Sequence, residues 1–234
     1  MKRLGIEIDA IVRMREFGDQ TTPDPIHAIT MIEMAGADGI VYTASEKPSS
    51  AEERDLRILR DCVHTHFNLR IPMSETMITK AIQARPEMVT LIQSGHQSGP
   101  INLLGQEGAI QTAVDKLRQS GAVTNVLIAP SVDQIKAAVK IGVDYVELHT
   151  ASYATADSLS KMEQELETLK TIAMAASKLN LGVSASGSLH YGNLRPIMLI
   201  EAIEEINIGH SICARALLVG LDKAVRDVID IIHS

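Results

Sequence analysis

Three short stretches of the chain bring together residue types that can hold an anion or move a proton. Asn207-Ile208-Gly209-His210-Ser211 ends an apolar run at a glycine and passes directly into a helical pattern. Backbone N–H groups at a helix start, with the dipole behind them, make a seat for phosphate, although a plain tight turn has the same signature. Ser184-Ala185-Ser186-Gly187-Ser188 sets small hydroxyl residues around a glycine, where backbone donors can approach a ligand closely and form the other half of a phosphate cup. It lacks the flanking glycines of a G-x-S-x-G nucleophile elbow, so it does not point to a serine hydrolase. Glu147-Leu148-His149-Thr150 spaces a carboxylate and an imidazole two apart, which puts both on one face of a strand. Facing inward, the pair could orient a ligand or shuttle a proton, or it could simply fill the interior as a hydrogen-bonded pair. A metal site would need a third ligand, and none stands at a convincing spacing.

Such residues need strands to position them, and the chain repeats one phrase that supplies strands. A helix, a glycine, a polar turn and a short apolar strand follow one another in Met34–Tyr42 and again in Val139–His149, with a looser copy in Arg118–Ile128. The glycine predicts a left-handed helix cap with a strand two or three residues later, a connection typical of parallel sheets. Strands are predicted at 3–8, 39–43, 68–72, 88–92, 124–129, 145–149, 182–186 and 205–208. Helices are predicted near 25–35, 52–64, 74–84, 107–120, 131–141, 158–179, 193–203 and 211–218, with a last one near 221–232. This alternation predicts an α/β fold, a (β/α)8 TIM barrel formed by residues 1–234 as a single domain. A doubly wound open sheet is the competing architecture, but it would usually need fewer strands and often shows GxGxxG after the first one. Two loops at the strand ends are long, 9–24 and 93–106, and the Gly- and Ser-rich second one reads as a lid or as a merely mobile loop.

In a barrel the polar residues at the carboxyl ends of the strands converge on one mouth. They are Glu7 and Asp9 from the first strand, Thr43 and Ser45 after the second, Arg70 from the third, Glu147 and His149 from the sixth, Ser184 and Ser186 from the seventh, and Asn207 and His210 from the eighth. His64 and His66 are expected to close a helix in solvent.

Composition narrows the partners. A formal charge of −7, with no basic run and 3% aromatic residues, argues against nucleic acid. No apolar run approaches the ~18 residues that span a bilayer, and no signal peptide is expected at the N-terminus, so the cytoplasm is the expected compartment. Cys62 and Cys213 form no CxxC pair and read as reduced core thiols.

The chain resembles the bacterial pyridoxine 5′-phosphate synthase family nearly end to end. The stretches that carry the likeness are Pro23-Asp24-Pro25, Ala35–Ile40, Arg54–Arg60, Glu147–Thr150 with Tyr153, and Ile206–His210. The resemblance implies a TIM barrel assembled from dimers into a homo-oligomer, an octamer. It implies condensation of 1-deoxy-D-xylulose 5-phosphate with 3-amino-2-oxopropyl phosphate, without a redox cofactor or an essential metal. Imine formation, dehydration and ring closure require several positioned proton donors and acceptors.

The family's acid–base positions are replaced here. Its first-strand Asn-Ile-Asp-His reads Glu7-Ile8-Asp9-Ala10. Its second-strand catalytic His is Thr43 with Ser45 in place of a substrate-binding Arg, its third-strand catalytic Glu is Arg70, and the proton-donor His after strand seven is Gly187, between Ser186 and Ser188. The first-loop Arg that meets the amino-ketone is Gly18, although Arg13 and Arg15 lie close. Asp9, Glu147, His149, Gly209 and His210 are retained. Glu7 and Arg70 have changed to opposite charges together, which predicts an ion pair across the mouth; the alternative is that Arg70 meets a ligand carboxylate or phosphate.

Asp9, Glu147 and His149 are thus the catalytic candidates, and Glu7, Arg70, Ser186, Gly187, Ser188, Gly209 and His210 the candidate contacts to a phosphorylated small molecule. Three functions are compatible with these residues: a divergent enzyme acting on another phosphorylated carbonyl compound, a non-catalytic sensor or partner subunit, and a genuine synthase using relocated groups such as His96 or His190.

Overall fold

The computed structural model describes residues 2–17, 21–94 and 99–233. Eight strands close into a parallel barrel in sequence order: β1 Arg3–Glu7, β2 Gly39–Thr43, β3 His66–Pro72, β4 Met88–Ile92, β5 Val123–Ile128, β6 Tyr145–His149, β7 Gly182–Ser186 and β8 Glu205–Ile208. The register returns to its start through β8 and β1, where Asn207 pairs with Gly5 and Ile208 with Ile6. The helices are α1 Asp9–Met14, α2 Pro25–Ala35, α3 Ser50–Cys62, α4 Glu75–Ala84, α5 Glu107–Gln119, α6 Val132–Ile141, α7 Ala151–Ala154, α8 Leu159–Lys178, α9 Leu194–Met198, α10 His210–Val219 and α11 Leu221–His233. Among the described residues no helix is long and apolar enough to cross a membrane.

The repeated phrase explains how helices hand over to strands. Gly36 and Gly142 end α2 and α6 with φ of +105° and +82°, the left-handed caps expected from the sequence. The aspartate two residues after each glycine has one job in both copies. Asp38 accepts from the Leu4 N–H at 2.8 Å, and Asp144 accepts from the Thr124 N–H at 2.8 Å, so each ties the entry of its own strand to the strand before it. A Cβ on Gly142 would meet nothing within 4 Å, so only backbone strain opposes a side chain there. Gly142→Ala is therefore expected to cost about 1–2 kcal/mol, measured by urea unfolding, with the fold unchanged.

Alternate strand residues face outward into one apolar layer beneath the helices. Ile6, Ile40, Leu69, Leu91, Val126, Val146, Val183 and Ile206 lie there at no more than 1% exposure, packed against helix residues such as Ile29, Ile32, Ile110 and Ile172. The residues between them point into the barrel, and many are polar. Asn68, Arg70, Thr90, Asn125, Glu147, Ser184 and Asn207 are all buried.

Three expectations about connections need correction. The 9–24 loop opens with α1 and a short 3-10 turn at Arg15–Phe17, because Asp9, Ile11 and Val12 fold straight back over the strand end. The helix expected at 193–203 is only Leu194–Met198, since buried Ile200 and Ile203 instead turn the chain into β8. His66 begins β3 rather than closing a helix, and its Nε2 is buried without a partner. In the long loop after β4, residues 95–98, including His96, lie outside the described residues. Its later part is packed down rather than free: Ile101 N–H donates to the Leu127 carbonyl at 2.7 Å, and Ile101 and Leu103 are buried.

Candidate functional site

Inside the barrel the polar residues form a connected floor. Thr90 Oγ1 donates to Asn68 Oδ1 at 2.8 Å and accepts from Asn125 Nδ2 at 3.0 Å. Asn125 Nδ2 and Asn207 Nδ2 each reach a Glu147 carboxylate oxygen at 3.4 Å. Gly5 makes room for this arrangement, because a Cβ there would stand 2.1 Å from Asn207 Oδ1. Glu147 is fully buried, and its principal partner is Arg70, whose Nη2 donates to Oε1. The second nitrogen of the fork, Nη1, meets Glu7 Oε1 at 2.8 Å. The ion pair between Glu7 and Arg70 is therefore present, and Glu147 joins it as a third member.

The Glu147–His149 pair is not formed. Both lie on the same inward face, as the period of two requires, but the carboxylate turns to the guanidinium. The His149 imidazole instead lies over Gly187. A Cβ at Gly187 would stand 2.8 Å from His149 Cδ2 and 2.9 Å from Nε2, and Gly187 has a φ of +109°. Thr150 fixes this turn by donating its hydroxyl to the Gly187 carbonyl at 2.6 Å and its N–H to the Ser186 carbonyl at 2.7 Å.

Asp9 and Thr43 form a closed unit at the other wall. Thr43 Oγ1 donates to Asp9 Oδ2 at 2.6 Å and its N–H donates to Asp9 Oδ1 at 2.8 Å. Both carboxylate oxygens of Asp9 are thus engaged in holding the first turn of α1. Arg13 lies on the rim of the mouth, whereas Arg15 is buried and pairs with Asp55 at 2.5 Å. Of the two arginines close to Gly18 in sequence, only Arg13 reaches the cavity.

That cavity encloses about 490 Å³ at the carboxyl ends of the strands. Glu7, Asp9, Arg13, Thr43, Arg70, His149, Ser186, Gly187, Gly209 and His210 all line it. Helix α10 contributes one face, with His210, Cys213, Ala214 and Leu217 at helical spacing. Cys213 is a free, half-buried thiol that packs against the core and also lines the mouth, and burial pushes it up to about 11, so it stays protonated. Among the described residues, no other backbone or side-chain acceptor takes up the N–H groups of Gly187, Ser188, Gly209 or His210. The Ser188 side chain lies on the turn with a φ of +57° and is not part of the lining. His190 is absent from the lining too: its Nδ1 accepts from the Gly192 N–H at 3.1 Å within its own turn. Ser45 is used locally, accepting from the Lys47 N–H at 3.1 Å.

The electrostatics follow from the geometry. Burial works against the Arg70 charge, but Glu147 and Glu7 outweigh it and hold the guanidinium firmly ionised. Burial pushes the Glu7 carboxyl up, against the pull of Arg70. Burial also lowers His149, with Arg70 adding to the shift and Glu147 opposing it, so the imidazole is neutral at neutral pH. The sign for stability is then fixed: a histidine held neutral in the fold contributes stability that is complete above its ordinary value of 6.5 and lost as pH falls through its lowered folded value. His149→Gln is expected to flatten the stability profile below pH 6.5, the side on which the lowered histidine loses its contribution, as read from urea midpoints at successive pH values.

The sequence reading missed the floor of Asn68, Thr90 and Asn125, and the anchoring role of Thr150. A signal existed, since each floor residue is a polar side chain at an inward position of its strand, and Thr90 is the one polar residue of β4. Cationic, imidazole and backbone donors thus ring one side of the cavity, while no side chain at positions 43, 70 or 187 titrates near neutrality.

The family described as pyridoxal phosphate biosynthesis protein PdxJ matches residues 4–234 of the chain. Pyridoxine 5′-phosphate synthase of Geobacter sp. (strain M21) is 40% identical over 237 residues, covering 100% of this chain and 99% of that protein. The protein of the same name from Geotalea daltonii is 39% identical, covering 99% of each. Among solved structures, thiamine phosphate pyrophosphorylase from Pyrococcus furiosus superposes with a TM-score of 0.66 at 15% identity, covering 99% of this chain and 95% of that one, a likeness of fold.

Proposed function

The chain belongs to the PdxJ family of pyridoxal phosphate biosynthesis proteins, and from that premise we propose that it binds a phosphorylated small metabolite in the cavity at the strand ends, with the family's condensation lost or strongly slowed. One observation carries this reading. The cavity keeps the free backbone donors of Gly187 and Gly209–His210, with Arg13 at the rim, while Thr43, Arg70 and Gly187 are committed to structure or have no side chain. The phosphate is assigned to the backbone donors, where partial charges of the α10 start favour an anion. Arg13 would neutralise its outer oxygens, with the His210 side chain beside them. Among the described residues, neutral His149 is the imidazole deep enough to pass a proton to a bound carbonyl, and Asp9 and Glu147 act by holding Thr43 and Arg70 in place. Neither a metal nor an organic cofactor is assigned a role. We place the protein in the cytoplasm as a homo-oligomer of one-domain barrels, the assembly implied by the family.

A genuine synthase is the second reading, and full-length relatives bearing that name at 39% and 40% identity favour it. It would have to route its proton transfers through His149, which lies against the α-carbon of Gly187.

A thermal-shift screen of phosphorylated metabolites tests the binding claim. A ligand present at a hundred times its Kd is expected to stabilise the fold by about 2.7 kcal/mol. No stabilisation by any sugar phosphate, amino-ketone phosphate or pyridoxine phosphate would remove the phosphate reading.

A further inference from the structure

The deepest cation of the cavity is paired with a group from the cavity's own wall. One Glu7 oxygen, Oε1, meets Arg70 Nη1 at 2.8 Å. The other, Oε2, packs against Gly209, 2.9 Å from where a Cβ would stand. The carboxylate thus spans the guanidinium and the start of α10, the two features best suited to receive an external anion. We propose that Glu7 is a specificity-determining residue: an internal carboxylate that competes with anionic ligands for Arg70 and for the Gly209–His210 turn. The inference rests on the reading of this cavity as an anion site and adds the device that sets its affinity.

The charges around Glu7 come from several elements. Arg70 on β3 attracts it, and Asp9 on α1 and Glu147 on β6 repel it. His149 on β6, Arg13 on α1 and His210 on α10 line the same cavity. A dianion arriving at the turn meets a like charge within contact distance, so it must either displace Glu7 from Arg70 or wait for that carboxyl to take up a proton. Burial already favours the protonated form. The seat therefore discriminates against dianions at high pH and admits them as pH falls. A phosphorylated ligand with a second anionic group aimed at Arg70 is rejected, and one with a neutral hydroxyl or carbonyl there is accepted.

Sulfate is the probe, because its charge stays constant across the range where the protein titrates. Its affinity for the full chain is measured by calorimetry at fixed ionic strength, from about pH 5 to 8, for wild type, Glu7→Gln and Glu7→Asn. The amide variants keep the Arg70–Glu147 pair, and having two of them guards against poor folding in one. At pH 8 the amide variants are expected to bind sulfate at least about tenfold more tightly than wild type, the scale expected from removing one like charge at close range. Wild type is expected to close that gap as pH falls, and pH dependence left in the variants is assigned to His149. Equal sulfate affinity in wild type and both variants across the range overturns the competition while leaving the anion site standing. Failure of all three proteins to bind sulfate at any pH sinks both the competition and the anion site beneath it.

Discussion

Arg70→Ala is expected to lower the unfolding free energy by about 3–5 kcal/mol, the cost of leaving buried charges without their partner. Glu147 is fully buried and Glu7 mostly so, and the side chain of Arg70 is 7% exposed, so water cannot take over the lost contacts. Arg70→Met keeps most of the volume and should fail almost as badly, which separates charge from packing. Adding Glu7→Gln and Glu147→Gln to Arg70→Met should recover most of the loss, because the uncompensated carboxylates are then gone. Such non-additivity between residues in contact is what a double-mutant cycle measures. The deficit of Arg70→Met should also shrink as pH falls. Without Arg70 the Glu7 carboxyl is pushed up further, and a carboxyl with a raised folded value contributes stability at low pH that disappears as pH rises through that value. Urea unfolding of these four proteins at two pH values decides the matter; an Arg70→Met variant as stable as wild type at both would show the cluster to be energetically idle.

The second large effect concerns catalysis. Formation of pyridoxine 5′-phosphate from the two family substrates is expected to run at least about 10⁴-fold below an ordinary synthase, since a single general acid or base contributes about 10²–10⁴ and three aligned positions lack one. The geometry also predicts how restoration behaves. Arg70→Glu alone would place a third carboxylate between Glu7 and Glu147. Gly187→His alone would set a Cβ 2.8 Å from the His149 ring at a φ of +109°. Thr43→His alone removes the hydroxyl bond to Asp9 Oδ2 and leaves only the backbone N–H to hold that carboxylate. Each single change should therefore lower stability without restoring turnover, and recovery requires Glu7, Thr43, Arg70 and Gly187 to change as a set. Liquid chromatography of single-turnover mixtures provides the readout, and restored synthesis by any one of the single changes would refute this coupling.

The barrel was legible because its signals are local and repeated. Gly36 and Gly142 sit where left-handed caps were expected, and six of the eight strands begin at the predicted residue. The two that differ, β3 and β5, begin one or two residues earlier, where His66 and Val123 extend the pairing. The Glu7–Arg70 pair could be read from two opposite charges on nearby strands. Glu147 as its third member could not, because the sequence shows that Glu147 and His149 share a face but not which neighbour each side chain prefers. In a buried interior, desolvation makes a carboxylate turn to a full guanidinium charge over a neutral imidazole. Helix α1 was missed because it has only six residues, too few for a period of 3.6 to show. The packing of His149 over Gly187 depends on a backbone angle, which no residue pattern carries.

The most direct test is a ³¹P NMR time course of the protein with 1-deoxy-D-xylulose 5-phosphate and 3-amino-2-oxopropyl phosphate. Cavity retention with lost proton transfer predicts broadened or shifted substrate phosphate signals, and no growth of inorganic phosphate beyond the protein-free control. Release of inorganic phosphate at the pace of an ordinary synthase would contradict the account, as would sharp, unshifted substrate signals at high protein concentration.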